Sequence, residues 1–156
     1  MTAFLSTFVN KVDRKGRVSV PAQFRSVLSD APYQGIIAYT SFAEQAIDAF
    51  GRSMLEELNR RRLEQNLANG EFEQALLGTN NFIDTIMGLA HELPFDGEGR
   101  IVLPTTLAET AGIEDKATFV GRGSRFQIWA PKFFEEHQRK AVITLRAKIQ
   151  NSEDGS

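Results

Sequence analysis

Apolar and polar residues alternate along several short stretches of this 156-residue chain, and the apolar period changes in its middle. Alternation rich in β-branched and aromatic residues is typical of half-buried strands, whereas apolar residues three or four positions apart are typical of helices. The helical period covers 52–67, 72–87 and the stretch from Pro131 onward. The strand pattern covers 4–12, 18–20, 36–39, 46–50, 101–103, 118–120 and 126–129. These periods predict an α+β fold in which helices lie between and after two groups of strands.

A ten-residue motif occurs twice, at 12–21 and again at 95–104, and its copies share Asp, Gly, Arg and Pro at the same relative places. In each copy an apolar strand leads into Asp-x-x-Gly-Arg, alternating residues follow, and Pro introduces a short helix. The Asp side chain can accept hydrogen bonds from backbone N–H groups just ahead of it, and the Gly can adopt the positive φ that closes a turn. Each copy therefore predicts a strand, a tight loop, a strand and a helix.

The motif copies divide the chain. We expect Gly78 and the cluster 79–81 to interrupt the second helical run, and the polar residues 151–156 to form a disordered tail. The predicted segments are a first half (1–50), a helical connection (51–92), a second half (93–130), a C-terminal helix (131–150) and the tail (151–156).

Charge separates the two copies, although the whole chain carries 18 Lys and Arg against 20 Asp and Glu, a net charge of −2. Residues 10–28 have a local net charge of +4 and residues 93–111 one of −2. The basic residues of the first copy are Lys11, Arg14, Lys15, Arg17 and Arg25, against Asp13; the second copy has Arg100 against Asp96, Glu98 and Glu109. The first loop is thus the candidate for binding a polyanion.

No sequence feature indicates catalysis or a cofactor. The chain has no cysteine, and its two histidines, His91 and His137, lack further ligands at metal spacing. We therefore expect no catalytic site, metal, cofactor or small-molecule substrate. The first residues lack a basic leader, and no apolar run is long enough to span a membrane, so we expect a cytoplasmic protein.

The paired Asp-x-x-Gly-Arg motifs resemble those of the MraZ family of bacterial transcriptional regulators, which are AbrB-like swapped-hairpin DNA-binding proteins. Asn10 before the first motif and the strand 126–129 are similar too, while 46–51 departs from the family pattern by lacking a Tyr-Pro-like ending. The resemblance implies two tandem AbrB-like hairpin–helix units that form a pseudo-two-fold barrel, and monomers that associate into a ring. It also implies binding of the homo-oligomer to double-stranded DNA, at short G-rich direct repeats upstream of its own gene in the division and cell-wall gene cluster, and hence association with the nucleoid.

On this interpretation Arg14, Lys15 and Arg17 contact DNA, since Lys and Arg neutralise phosphates and Arg can read guanine through two hydrogen bonds. Arg17 could equally brace its loop by pairing with the aspartate four residues earlier. Loop bracing, or a secondary DNA contact, is the role expected for five residues: Asp13, Gly16, Asp96, Gly99 and Arg100.

Two other classes of function are compatible with the sequence. In the first, the hairpins mediate dimerisation and the helices grip another protein, as in an assembly module or an antitoxin-like partner. The second, a small enzyme using a carboxylate and an arginine, is disfavoured because no nucleophile or convergent pair of acids is visible.

Overall fold

The computed structural model describes residues 3–77 and 81–154. The first half contains β1 (Thr7–Lys11), β2 (Arg17–Ser19), α1 (Ala22–Val27), β3 (Gly35–Thr40) and β4 (Ile47–Phe50). The connection contains α2 (Arg52–Ala68), α3 (Phe72–Leu77) and α4 (Asn81–Leu89). The second half contains β5 (His91–Pro94), β6 (Arg100–Val102), α5 (Thr105–Ala111), β7 (Lys116–Gly121) and β8 (Phe126–Trp129), and α6 (Pro131–Asp154) follows it. The predicted α+β class is confirmed.

The strands pair between the halves. One antiparallel sheet has the order β1-β7-β8-β4-β3-β5, and β2 and β6 form a separate antiparallel ribbon. The first strand of each half pairs with the third strand of the other half, and exchanging the two halves leaves this order unchanged. Among the described residues the six strands form an open row that ends at β1 and β5, so the closed barrel implied by the resemblance is not found.

The ribbon and α1 cover one face of the sheet. Val18 of β2 and Ile101 of β6 are each 1% exposed and join the core beneath the ribbon. Phe24 of α1 is fully buried, with its ring centroid 5.4 Å from that of Phe4 and 4.9 Å from that of Phe126. Burial of these large apolar side chains holds the ribbon, and hence both loops, on the sheet.

Helices cover the opposite face. Leu55 of α2 and Ile86 of α4 pack with Tyr39 on β3, whereas Phe134 of α6 packs with Trp129 on β8. Because both faces are covered, the four central strands β3, β4, β7 and β8 are almost entirely buried.

Two segment boundaries differ from those predicted. The second half begins with β5 at His91, two residues before the predicted boundary, because this strand pairs with β3. Helix α6 continues to Asp154, so 151–154 are helical rather than part of a disordered tail, since no Gly or Pro stops the helix before Gly155. Of the predicted interruption at Gly78 and 79–81, residues 78–80 lie outside the described residues, as do 155–156, and Asn81 is the first residue of α4.

Candidate nucleic-acid interface

The first motif loop is closed by Asp13. Its Oδ1 atom accepts hydrogen bonds from the backbone nitrogens of Lys15, at 3.0 Å, and Arg17, at 2.8 Å. The backbone nitrogen of Gly16 donates to the Asp13 carbonyl at 3.0 Å, and Gly16 has a φ of +79°. The aspartate and the glycine thus set the loop geometry by local chemistry.

The same aspartate holds the arginine of the motif. Arg17 Nε donates to Asp13 Oδ2 at 2.6 Å, in an ion pair about one-third exposed. The backbone N–H of Arg17, more than any other group, holds the pKa of the Asp13 carboxyl below 3.8, so the carboxylate is charged at neutral pH. This contact uses Nε and not the two terminal guanidinium nitrogens of Arg17.

Arg14 and Lys15 form the tip of this loop, and both are exposed. Across residues 3–77 and 81–154, no carboxylate lies within ion-pair distance of either side chain. Lys11, at the end of β1, is exposed as well. The loop therefore presents positive charge that the surrounding protein does not neutralise.

The second loop reproduces the brace without the positive tip. Asp96 Oδ1 accepts from the backbone nitrogens of Glu98 and Arg100, each at 2.9 Å, and Arg100 Nε donates to Asp96 Oδ2 at 2.8 Å. Gly99 has a φ of +76°. Glu98 lies 3.6 Å from Arg100 Nη1, so this arginine is shared by two carboxylates. The two loops have one geometry and opposite charge at their tips.

These carboxylates also shift the titration of the second loop. The backbone N–H of Arg100 is the largest cause that lowers the pKa of Asp96. The hydrogen bond to Asp96 raises the pKa of Arg100, and the Asp13 carboxylate of the other loop acts in the same direction. The two loops are therefore close enough to interact electrostatically.

The ribbon brings both arginines to one surface. Arg17 is opposite Val102 and Ser19 is opposite Arg100, while the intervening Val18–Ile101 pair is buried. Because side chains alternate along a strand, the outer face of the ribbon carries these four outward residues, with the arginines in diagonal positions. Sequence reasoning did not include Ser19 and Val102 in the site, although their alternation with the motif arginines indicates their position.

Arg25 lies elsewhere than its place in the sequence suggested. It was counted with the first loop, but a Cβ atom on Gly99 of the second loop would lie 2.6 Å from Arg25 Cζ. Arg25 Nε donates to the Val20 carbonyl at 3.1 Å, and Val20 N donates to the Gly99 carbonyl at 3.1 Å. The antiparallel ribbon places α1 beside the opposite loop, which leaves the first loop with four basic residues against one acidic residue.

Comparison with known proteins identifies the family. A family model described as "MraZ protein, putative antitoxin-like" matches residues 86–153. A protein of Rickettsia canadensis (strain McKiel) named "Transcriptional regulator MraZ" is 44% identical over 155 residues, which cover 97% of this chain and 99% of that protein. A protein of the same name from Rickettsia akari (strain Hartford) is 44% identical over 141 residues, 90% of each chain. The chain belongs to the MraZ family.

The resemblance of the two motifs to MraZ proteins is thereby confirmed. These relatives are named as transcriptional regulators and not as enzymes. In the part of the chain that the structure describes, no three His, Asp or Glu side chains are placed to hold a metal ion, and no helix is both long and apolar enough to cross a membrane.

Proposed function

We propose that this MraZ-family chain is a sequence-specific DNA-binding transcriptional regulator. It acts as a ring-like homo-oligomer on short direct repeats upstream of its own gene, in the division and cell-wall gene cluster. The family of the chain and the name of its relatives support the regulatory role. The repeats, the ring and the gene cluster follow from the motif resemblance.

The observation that carries the proposal is the exposed basic tip of the first loop beside the outer face of the ribbon. The major groove of B-DNA is about 12 Å wide and admits a two-stranded ribbon. A ribbon held there would place Arg14 and Lys15 beside the phosphates that border the groove, where each cation releases condensed counterions. This explains how a chain with a net charge of −2 can bind a polyanion.

Arg17 can brace the loop and read a base at once. Its Nε atom is occupied by Asp13, and the guanidinium is planar, so the brace fixes the direction of the two terminal nitrogens. Two donors from one guanidinium match O6 and N7 of guanine, a contact that contributes about 1–3 kcal/mol of discrimination against another base. A G-rich operator suits this arrangement.

The second loop is assigned a positioning role. Glu98 and Asp96 both lie within ion-pair distance of Arg100, and carboxylates gain nothing beside phosphate. The second loop and β6 complete the ribbon and hold β2 against the core. DNA contact is thus concentrated in the first loop of each protomer.

A loop exchange tests this proposal. The variant Arg14→Gly/Lys15→Glu gives the first loop the tip residues of the second, and Gly97→Arg/Glu98→Lys makes the reverse change in a loop of the same geometry. We measure fluorescence anisotropy of DNA from upstream of the chain's own gene at several salt concentrations, with a shuffled sequence as the competitor. The first variant should lose roughly tenfold or more in affinity, since it removes two phosphate contacts per loop and adds a repulsive charge, and the reverse variant should bind at least as well as the wild type.

Equal DNA binding by the wild type and the Arg14→Gly/Lys15→Glu variant would contradict the proposal, as would a wild-type affinity that does not change with salt.

The alternative function, a protein-interaction or antitoxin-like module, is favoured by the exposed apolar residues of α3, such as Leu76 and Leu77. It predicts a stable one-to-one complex with a different protein and no retention of DNA.

A further inference from the structure

The second half of α6 extends from the body of the protein with no tertiary cover. Every residue from Gln138 to Glu153 is exposed. Val142, Leu145 and Ile149 nevertheless form an apolar stripe at helical spacing, and they are 38%, 60% and 54% exposed. A long helix in water is stabilised mainly by packing of its apolar face, so this stripe is expected to have a partner.

The first half of the chain shows what covers the equivalent face. Helix α2 follows β4 in the first half, and α6 follows β8 in the second half. Asp48 of β4 is paired with Gln127 of β8, and we take their separation of 79 residues as the offset between equivalent positions. With the same offset, Arg62 and Asn66 of α2 correspond to Ala141 and Leu145 of α6. Arg62 forms an ion pair with Asp84 of α4, and the Asn66 carbonyl accepts a hydrogen bond from the residue that precedes α3. The Arg62–Asp84 pair thus places α4 on the face of α2 that is bare on α6, and α3 also packs against α2.

Helices α3 and α4 also carry an apolar surface of their own. Leu76 and Leu77 of α3 are 87% and 80% exposed, and Phe72, Phe82 and Met87 are exposed as well. Exposed apolar side chains of this size and number are typical of interfaces.

The two bare surfaces have opposite charges. The sequence between Arg62 and Arg100 contains no Lys or Arg, and in and beside α3 it contains Glu71 and Glu73; Asp84 of α4 is already paired with Arg62. By contrast, residues 137–152 of α6 contain no Asp or Glu, and they include Arg139, Lys140, Arg146 and Lys148. Arg139 and Lys140 form ion pairs with Glu136 of the same helix, so Arg146 and Lys148 supply most of the remaining positive charge. A surface rarely matches a copy of itself when its charge has one sign, so pairing of α6 with α6, or of α3 with α3, is disfavoured.

We propose that the basic and apolar face of α6 of one copy docks on the acidic and apolar surface of α3 and α4 of a second copy. The contact joins two different patches and is therefore heterologous, and repetition of it generates a ring when the rotation closes. The inference deepens the proposed function, on which it rests for the existence of a ring, and names the surfaces that make it.

Complementary variants test the contact with the full chain and without DNA. Leu145→Ala/Ile149→Ala removes the α6 stripe and leaves α3 and α4 intact, whereas Leu76→Ala/Leu77→Ala does the opposite. Light scattering after size exclusion should show an oligomer for the wild type, a monomer for each variant alone, and a heterodimer for a 1:1 mixture, because one intact pair of surfaces remains. Asn151→Ala, on the opposite side of α6, is the control and should keep the wild-type mass.

Three results would overturn the proposal: a wild-type mass for either variant, a homodimer of the α3 variant through its α6 stripes, or a mixture that stays monomeric although circular dichroism shows both chains folded.

A charge exchange gives a second readout that leaves the apolar residues in place. Arg146→Glu and Glu73→Arg should each lower the oligomer mass, and their 1:1 mixture should recover association; no recovery would contradict charge pairing across this contact. DNA affinity is measured separately, so loss of DNA binding with an intact oligomer would refute the proposed function and leave the contact standing.

Discussion

Among individual residues, the aspartate and arginine of each loop determine its shape, whereas the residues at its tip determine what it can bind. Asp13 and Asp96 accept the same three hydrogen bonds with similar lengths. Geometry therefore cannot distinguish the loops, and the difference lies in the exposed tip residues at 14–15 and 97–98. A side chain whose hydrogen bonds are satisfied within the loop preorganises its neighbours, which reduces the entropy lost on binding.

The braces predict how stability depends on acid. Both aspartates have pKa values below 3.8, chiefly because the backbone N–H of the motif arginine donates to each carboxylate. A lowered folded-state pKa stabilises the fold above the unfolded-state value, and this contribution is lost as the pH falls through the folded value. Carbon-detected NMR from pH 6 to 2 should show both carboxyls titrating at lower pH than the exposed aspartate Asp30. A midpoint equal to that of Asp30 for either carboxyl would contradict the brace.

The glycines of the first motif loop and the second loop tip offer a matched pair of substitutions. Gly16 has a φ of +79°, and a Cβ atom there would lie 3.2 Å from the Leu103 carbonyl oxygen, whereas a Cβ on Gly97 meets no atom within 4 Å. Gly16→Ala should destabilise the fold by about 1–2 kcal/mol, the cost of the left-handed region for an L-residue. Gly97→Ala should stay within about 0.5 kcal/mol of the wild type. Urea unfolding measures both; equal effects would show that the turn does not require glycine.

Local chemistry explains which residues the sequence revealed. The Asp, Gly and Arg of each loop contact one another within five residues, so their spacing was enough to predict the loop. The sequence could not show that Arg25 lies beside Gly99, because the two residues are 74 positions apart. Only the antiparallel pairing of β2 with β6 brings these two together.

At the level of strands and helices, a buried polar group joins the two halves of the sheet. Gln127 of β8 is 2% exposed, and its Nε2 donates to Oδ1 of Asp48 on β4 at 2.9 Å. Its Oε1 atom accepts from Trp129 Nε1 at 3.0 Å and from Arg122 Nε at 3.1 Å. One side chain thus satisfies polar groups from both halves at the β4–β8 seam.

Removal of this amide should lower the free energy of unfolding. Gln127→Leu keeps the approximate volume but removes the acceptor of the buried Trp129 N–H, and a buried unsatisfied group costs about 1–3 kcal/mol. The Asp48 carboxylate loses this donor but keeps Arg125 Nε at 3.7 Å. Gln23→Leu, at an exposed position on α1, is the matched control and should change the unfolding free energy by less than about 0.5 kcal/mol. Indistinguishable urea midpoints for the two variants would show that the seam does not depend on the amide.

Most strands and helices followed from hydrophobic periodicity, although β5 was not among the predicted strands, and the pairing of the strands did not follow. The run 36–39 predicted β3. Nothing in the local sequence could show that β3 pairs with β5, because three helices lie between the two strands in the chain. The apolar stripe of α6 was visible in the sequence, yet periodicity does not tell whether such a stripe meets the core of its own chain or another copy. The structure leaves it exposed.

For the molecule as a whole, a loop with few cations must depend on the number of loops that bind together. Under the proposed function one loop would offer Arg14, Lys15 and Arg17 to DNA, a small contact compared with the surface that specific DNA-binding proteins bury. A homo-oligomer that meets several direct repeats turns each later contact into an intramolecular one, and affinity rises without new residues. Assembly and DNA binding are then linked through the number of loops engaged.

The salt dependence of binding measures how many loops bind DNA at the same time. The slope of log K against log salt is about −0.9 for each phosphate contact, so Lys15→Ala should make the slope less steep by about 0.9 for every protomer bound to the DNA. Lys132→Ala, an exposed lysine at the start of α6, is the control and should leave the slope unchanged. Titrations with operator DNA carrying one, two or three repeats should give slope differences that grow in proportion to the repeats. A difference in slope between the wild type and Lys15→Ala that stays at about 0.9 with every operator would show that a single loop binds and that the oligomer does not act through several contacts.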